Sequence, residues 1–103
     1  MTSQLAVLVG LAVTDALQVH DYVQLLFEKD IVLNIYNALR LCHGDDLRAL
    51  HGAMLLRVEE KPAQLILSFS HGRRLAIDLC DNAYNGPEAL ALHVPGHPTM
   101  VWN

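Results

Sequence analysis

Apolar residues occupy nearly every second position in two segments of the chain, 23–37 and 65–79. This period of two is typical of β-strands, whose successive side chains point to opposite faces of a sheet. In each segment two such runs flank a short stretch, EKD (Glu28–Asp30) in the first and SHG (Ser70–Gly72) in the second. The pattern therefore predicts two β-hairpins.

The positions of the apolar residues also predict the register of each hairpin. They are odd-numbered on both strands, so they can face each other only across a loop of three residues. The expected pairs are Leu25 with Leu33, Val23 with Ile35, Leu67 with Leu75, and Leu65 with Ile77. A three-residue loop usually ends in a left-handed residue, a conformation that Gly72 adopts freely and Asp30 tolerates.

The hairpins belong to a longer repeat in which residues 3–37 align without a gap on residues 45–79. We call residues that this alignment pairs corresponding residues. Seven pairs are identical: Leu5 with Leu47, Leu8 with Leu50, Gly10 with Gly52, Leu25 with Leu67, Phe27 with Phe69, Leu33 with Leu75, and Ile35 with Ile77. All are apolar residues or glycine, which are the positions that a fold restricts most. A chance alignment of two β-rich segments is the alternative explanation.

Each repeat unit is predicted to be a short helix followed by three strands. Ser3 or Asp45 can cap a helical turn, and Gly10 or Gly52 follows where helices often end in a left-handed residue. An extended segment then leads into the hairpin. One three-stranded unit buries a single sheet face and is marginally stable, so we expect two units to pack face to face about a pseudo-twofold axis.

The predicted fold class is therefore mainly β with short helical turns (α+β), in a small sandwich or a partly closed barrel. Ala89–Val94 and Thr99–Trp102 flank a Pro-Gly-x-Pro turn and are expected to form a C-terminal β-hairpin that covers an open sheet edge. A length of 103 residues is that of one domain, 1–103, with the internal repeat at 3–37 and 45–79.

Composition and charge narrow the classes of function. Hydrophobic residues make up 52% of the chain and charged residues 17%, which predicts a folded core. The net charge is −4 and the seven Lys and Arg residues are scattered, so we expect no nucleic-acid partner. The apolar stretch near the N-terminus lacks the features of a signal peptide and is too short to span a bilayer, which predicts a cytoplasmic protein with no membrane partner.

The residues that carry chemistry in other proteins do not form a known catalytic or metal-binding pattern here. His93 and His97 are four positions apart, but Pro95 and Pro98 exclude the helix that would bring them together, so we expect no metal site and no cofactor. The chain has no Gly-x-Ser-x-Gly motif and no glycine-rich phosphate loop, which argues against an enzyme. Cys42 and Cys80 adjoin apolar segments and are expected to be buried thiols.

The segment DLCDNAYNGPE, from Asp78 to Glu88, is the richest in polar residues. Loops on a rigid sheet often carry binding groups, so its ligand-binding candidates are Asp78, Asp81, Tyr84, Asn85 and Glu88. The alternative is that Asn, Gly and Pro only form turns there. The overlapping stretch YNGPEALALHV resembles a Tyr-x-Gly-Pro-Glu-Ala-Leu motif of small uncharacterised bacterial proteins, and this resemblance implies no activity.

The outward face of the first hairpin is unusually apolar for a solvent-facing surface. Tyr22, Leu26, Val32 and Tyr36 project from it, and we call these four residues the outer patch. Either a partner covers the outer patch, or the N-terminal or C-terminal strands cover it within the monomer. We expect a non-enzymatic binding or protein-interaction module, a homodimer, with immunity proteins that mask a toxin as an analogy. The alternative is a small-molecule binder with its pocket near the 78–88 loop.

Overall fold

A computed structural model describes residues 4–41, 46–80 and 88–102 of the chain. In these residues nine strands form two antiparallel sheets. The first sheet contains, in spatial order, β1 (Val13–Val19), β2 (Tyr22–Phe27), β3 (Val32–Ile35), β8 (Leu90–His93) and β9 (Met100–Trp102). The second contains β4 (Leu39–Leu41), β7 (Arg74–Asp78), β6 (Gln64–Phe69) and β5 (Leu55–Glu60). The predicted mainly β class is confirmed, and the described strands do not close into a barrel.

The helical elements of the described residues are short 3-10 turns, so the α component of the predicted class is wrong. They are Gln4–Leu8, Glu28–Asp30, Leu47–Leu50 and Ser70–Gly72. The cap of the third turn is Asp46, whose carboxylate accepts from the N–H of Arg48 at 2.9 Å. The predicted caps Ser3 and Asp45 lie outside the described residues.

Glycine ends two of these turns as the sequence predicts. Gly10 has a φ of 91° and Gly52 a φ of 82°, both in the left-handed region. A Cβ at either position would meet no atom within 4 Å, so the backbone angle is the reason for glycine there.

The predicted hairpin registers are confirmed. Leu25 lies opposite Leu33, and Leu67 lies opposite Leu75. The other two predicted pairs, Val23 with Ile35 and Leu65 with Ile77, are also observed. Each loop has three residues, because the N–H of Phe27 donates to Ile31 O and the N–H of Phe69 donates to Arg73 O, both at 2.8 Å.

Each hairpin loop contains two left-handed residues, where the sequence predicts one. The predicted positions have φ values of 60° at Asp30 and 73° at Gly72. The preceding residues, Lys29 and His71, are also left-handed, at 65° and 62°. Lys rarely adopts this conformation although His is more tolerant of it, so at Lys29 the strand pairing on both sides determines the loop geometry.

The first strand of each hairpin sheet is interrupted by a bulge at the same place. The register of β1 against β2 shifts between Val13 and Asp15, and that of β5 against β6 shifts between Leu55 and Arg57. A bulge adds one residue to one strand and so changes which side chains share a face. It places Leu17 opposite Gln24, on the outer face of the first sheet.

Backbone hydrogen bonds join the starts of β1 and β5, and each recurs between the corresponding residues. Gly10 N–H donates to Leu55 O and Gly52 N–H donates to Val13 O, both at 2.8 Å. Val13 N–H donates to Ala53 O at 2.8 Å and Leu55 N–H donates to Leu11 O at 3.0 Å. An isolated antiparallel bridge between Ala12 and Met54 lies at the centre of this group. The two sheets are therefore tied together at this end.

Strands of each half of the chain lie in the sheet of the other half. β4 follows β3 but pairs with β7, with Leu39 opposite Ile77. β8 follows β7 but pairs with β3, with Leu90 opposite Ile35. β9 then pairs with β8 and extends the first sheet. The sequence did not predict β4, which is only three residues long.

The core lies between the two sheets and is built from the inward-facing residues of both. Phe27 and Phe69 are each 2% exposed, and the leucines and isoleucines of the predicted pairs are equally well buried. The inward leucines of the first and third 3-10 turns, Leu8 and Leu50, complete it. The same side chains that set the hairpin register thus form the core, which leaves the opposite sheet faces for other roles.

Candidate functional site

The outer patch lies on the solvent side of β2 and β3, where the strand register brings its members together. Tyr22 and Tyr36 are in contact, with ring centroids 5.3 Å apart and ring planes tilted by 55°. Leu26 lies opposite Val32 on the adjacent strands. All four side chains are partly exposed. The patch therefore has one aromatic end and one aliphatic end.

A polar pair separates these two ends. Gln24 lies opposite Asn34, and its side-chain N–H donates to Asn34 Oδ1 at 3.1 Å. Asn34 is only 9% exposed although it is on the outer face. Because the two side-chain amides form a hydrogen bond with each other, they depend less on water for hydrogen bonds than isolated amides would.

Neighbouring strands enlarge the apolar face at both sides. Leu17 on β1 lies opposite Gln24 and is 39% exposed, and Val101 on β9 lies opposite Ala91 and is 46% exposed. In this sheet β1 lies next to β2 on one side of the outer patch. On the other side β8 lies next to β3, and β9 lies next to β8. Sequence reasoning missed Leu17 because the bulge in β1 decides its face. It missed Val101 because the pairing of β8 with β3, which brings β9 into this sheet, joins strands that are distant in sequence.

Polar groups lie at the rim of this face. The hydroxyl of Thr14 donates to Leu26 O at 3.1 Å. Thr99 Oγ1 and His93 Nδ1 are 2.9 Å apart in a hydrogen bond, and His93 lies opposite Val32. Apolar residues within a polar rim are usual at protein–protein interfaces, and this face has them on both sides of the central Gln24–Asn34 pair.

The outer face of the second sheet is built on the same strand pattern but is charged. Glu59 and Lys61 are the residues that correspond to Leu17 and Val19, and Arg74 corresponds to Val32. Glu59 forms ion pairs with Arg57 at 3.4 Å and with Lys61 at 3.9 Å. Charged side chains of this kind keep a sheet face solvated. The two outer faces thus differ in chemistry although their strands correspond.

Only two of the five ligand-binding candidates belong to the described residues. Asp78 is exposed at the end of β7, and its Oδ1 accepts from the N–H of Cys80 at 2.8 Å. This hydrogen bond lowers the pKa of the Asp78 carboxyl, with a smaller contribution from the positive charge of Arg40. Glu88 is half-buried. Asp81, Tyr84 and Asn85 lie outside the described residues.

A shallow depression of about 510 Å³ lies beside Asp78 on the outer face of the second sheet. Its polar groups are Asp78, Arg40 and Gln64, and the remaining lining includes several alanines. Asp78 and Arg40 carry opposite charges, so the depression offers one anionic and one cationic group to a small molecule.

Three further findings concern cysteine, metals and membranes. Cys80 is exposed, so the prediction of a buried thiol is wrong there, and Cys42 lies outside the described residues. Within residues 4–41, 46–80 and 88–102, no three His, Cys, Asp or Glu side chains are grouped as metal ligands would be. The helical turns in the described parts are all too short to cross a membrane.

Comparison with known proteins gives no relative from which a role could be transferred. No family model matches the chain, and no curated protein or solved structure matches it either. The chemistry of the two outer faces and of the sheet edges is therefore the basis for a functional assignment.

Proposed function

We propose that this chain is a non-enzymatic protein-interaction module that forms a homodimer through the outer face of its first sheet. The observation that supports this is the difference between corresponding positions of the two sheets. Leu17, Val19 and Val32 occupy positions of the first outer face that Glu59, Lys61 and Arg74 occupy on the second. A solvated face of this scaffold takes charged residues, so the apolar residues of the first face indicate that a partner covers it.

The composition of this face suits a twofold contact. In a twofold dimer the same patch contacts itself, so apolar and aromatic residues can meet their own kind. The tyrosine pair supplies amphipathic rings that retain a polar hydroxyl, a feature enriched at interfaces. A protein that masks a different partner, as immunity proteins do, would use the same face.

The proposal is tested by placing a charge in the outer patch. Leu26→Lys puts an ammonium group where the contact would remove it from water, a cost of several kcal/mol even though Asp15 lies opposite on β1. We expect the wild-type chain to sediment as a dimer and the variant to sediment as a monomer with an unchanged circular dichroism spectrum.

Ser68→Lys is the control, since Ser68 corresponds to Leu26 and lies on the outer face of the second sheet. It is a stringent one, because Arg57 and Arg74 lie opposite Ser68 and would repel the new lysine. This variant should remain dimeric. If Leu26→Lys also remains dimeric, the interface lies elsewhere. If Leu26→Lys unfolds while Ser68→Lys does not, Leu26 serves the stability of the monomer and the interaction role loses its basis.

A second candidate function is the binding of a small molecule in the depression beside Asp78. The opposite charges of Asp78 and Arg40 favour a zwitterionic or hydrogen-bonding ligand over a purely apolar one. A strictly monomeric wild-type chain would favour this function over the homodimer.

The finer architecture is part of the same proposal. We infer that residues 3–37 and 45–79 are two units related by a pseudo-twofold axis, and that each unit passes its next strand to the other. The recurrence of bulges, loops and inter-sheet hydrogen bonds at corresponding positions of the two units supports this. In this arrangement β4 corresponds to β8, because they pair with corresponding residues, Ile77 and Ile35.

A further inference from the structure

The corresponding strands β4 and β8 differ in what lies at their outer edges. β9 pairs with the outer edge of β8. The leucines of β8, Leu90 and Leu92, are 0% exposed. β4 is the edge strand of the second sheet, and no described strand pairs with its outer edge. Its leucines, Leu39 and Leu41, are only partly buried. One of the two edges is therefore completed by a strand and the other is not.

The backbone of β4 is oriented to accept another strand. Asp78 N–H donates to Ala38 O at 2.9 Å, and hydrogen-bonded positions alternate along an antiparallel pair. Arg40 therefore directs its N–H and C=O toward β7. Leu39 and Leu41 direct theirs to the opposite side, where a strand would be added.

An open groove lies next to this edge, between the two sheets. Its volume is about 520 Å³, and Leu39 and Leu41 form part of its lining. The other lining residues are Ala16, Gln18, Val23, Asp46, Leu47 and Arg48. At the corresponding edge of β8, Met100 and Trp102 of β9 pack against the core while Val101 between them is exposed. The groove thus lies where the edge of β4 lacks two inward side chains of this kind.

We propose that the outer edge of β4 binds an extended segment of a partner protein, which adds to the second sheet as a fifth strand. The segment carries two large apolar residues separated by one residue, as β9 does at the edge of β8. The apolar side chains lie in the groove, and the backbone pairs with Leu39 and Leu41. Strand addition of this type derives affinity from main-chain hydrogen bonds and specificity from alternate side-chain pockets.

The middle residue of the partner segment, between the two apolar ones, is expected to be acidic. Val101 lies opposite Ala91 in the first sheet, and the residue that corresponds to Ala91 in β4 is Arg40, which is exposed. A carboxylate at the middle position of the segment would lie beside the Arg40 guanidinium, and cross-strand pairs of opposite charge are favourable. The partner segment therefore has the pattern apolar–acidic–apolar. This surface is separate from the outer patch and does not depend on it.

The test uses the intact chain and a synthetic peptide, HPTMVWN, that copies residues 97–103. A second peptide carries Val101→Glu and a third carries Val101→Lys. We expect the Glu peptide to bind more tightly than the Lys peptide, by about threefold or more at low salt. In ¹H–¹⁵N spectra of the protein, the amides of Leu39 and Leu41 should shift most and exchange more slowly with solvent.

N-methylated peptides distinguish strand addition from simple apolar contact. By the same alternation, the N–H groups of Met100 and Trp102 face the paired strand and that of Val101 faces away. N-methylation at Met100 or Trp102 should weaken binding by about tenfold or more, since a buried carbonyl of β4 loses its donor. N-methylation at Val101 leaves the side chains and the paired edge unchanged and should not weaken it.

Three results would overturn the proposal. The first is that no peptide binds at concentrations near 1 mM, roughly the weakest affinity that such a contact could use. The second is that the peptides displace β9, which would shift the amides of Leu90 and Leu92 instead. The third is that Leu39 and Leu41 are protected without peptide and lose protection on dilution, which would show that a second copy occupies the edge.

Discussion

At the scale of single residues, the two outer faces show how one scaffold carries different chemistry. Most inward residues of the two units are the same or similar, with Ile31 and Arg73 as an exception, whereas the outward ones change from Leu17 to Glu59 and from Tyr36 to Asp78. Inward positions must fill a shared core, but outward positions meet either solvent or a partner. Differences at outward positions therefore reflect what each face contacts rather than how the chain folds.

Asp78 provides a prediction about pH at this scale. The N–H of Cys80 donates to its carboxylate, which stabilises the charged form and lowers the pKa. A carboxyl whose pKa is lowered by folding contributes stability above its unfolded pKa, and this contribution is lost as the pH falls through the folded pKa. We expect the ¹³C signal of the Asp78 carboxyl to titrate below the usual value of 3.8.

Asp78→Asn is the matching variant, because the amide oxygen can still accept from Cys80 while the charge is lost. The variant should be less stable than wild type at neutral pH, and the difference should vanish at a pH below the folded pKa. If the carboxyl of wild-type Asp78 titrates at or above 3.8, the hydrogen bond to Cys80 does not persist in solution.

At the scale of strands and loops, the sequence alone predicts the two hairpins but does not predict β4. The hairpins were predictable because their pairing is local and the parity of their apolar residues allows one loop length. β4 has three residues, and its partner β7 lies in the other half of the chain, so no local pattern indicates it. The outer patch was predictable for the same reason as the hairpins, but its neighbours Leu17 and Val101 were not.

The two hairpin loops allow a reciprocal exchange of residues. Asp30 and Gly72 occupy the same loop position with φ values of 60° and 73°. Asp30→Gly should stabilise the protein by up to about 1 kcal/mol, since glycine adopts this angle without strain. Gly72→Asp should destabilise it by a similar amount, and a Cβ there meets no atom within 4 Å, so the backbone angle alone would account for the loss.

Urea unfolding measures both effects, and the double variant should restore the wild-type free energy of unfolding because the loops lie in separate hairpins. If Asp30→Gly destabilises the protein, the Asp30 side chain makes a favourable contact that outweighs the strain of its backbone.

At the scale of the whole molecule, the exchange of β4 and β8 couples the two sheets. Each sheet contains at least one strand from the other half of the chain, and backbone hydrogen bonds join the starts of β1 and β5. Neither sheet can lose its strands without exposing the core face of the other. We therefore expect the chain to unfold in one cooperative transition rather than as two separate units.

Native-state hydrogen exchange in two matched core variants tests this coupling. Phe27 and Phe69 occupy corresponding core positions in the first and second sheets, and each is 2% exposed. Phe27→Leu should cost about 1–2 kcal/mol, because the smaller side chain leaves part of the site empty. If unfolding is cooperative, amides of β3 and of β7 should lose the same free energy of protection, although the substitution lies in the first sheet. Phe69→Leu should give the same result from the second sheet. Loss of protection confined to the substituted sheet in both variants would mean that the two sheets unfold independently and that the exchanged strands do not couple them.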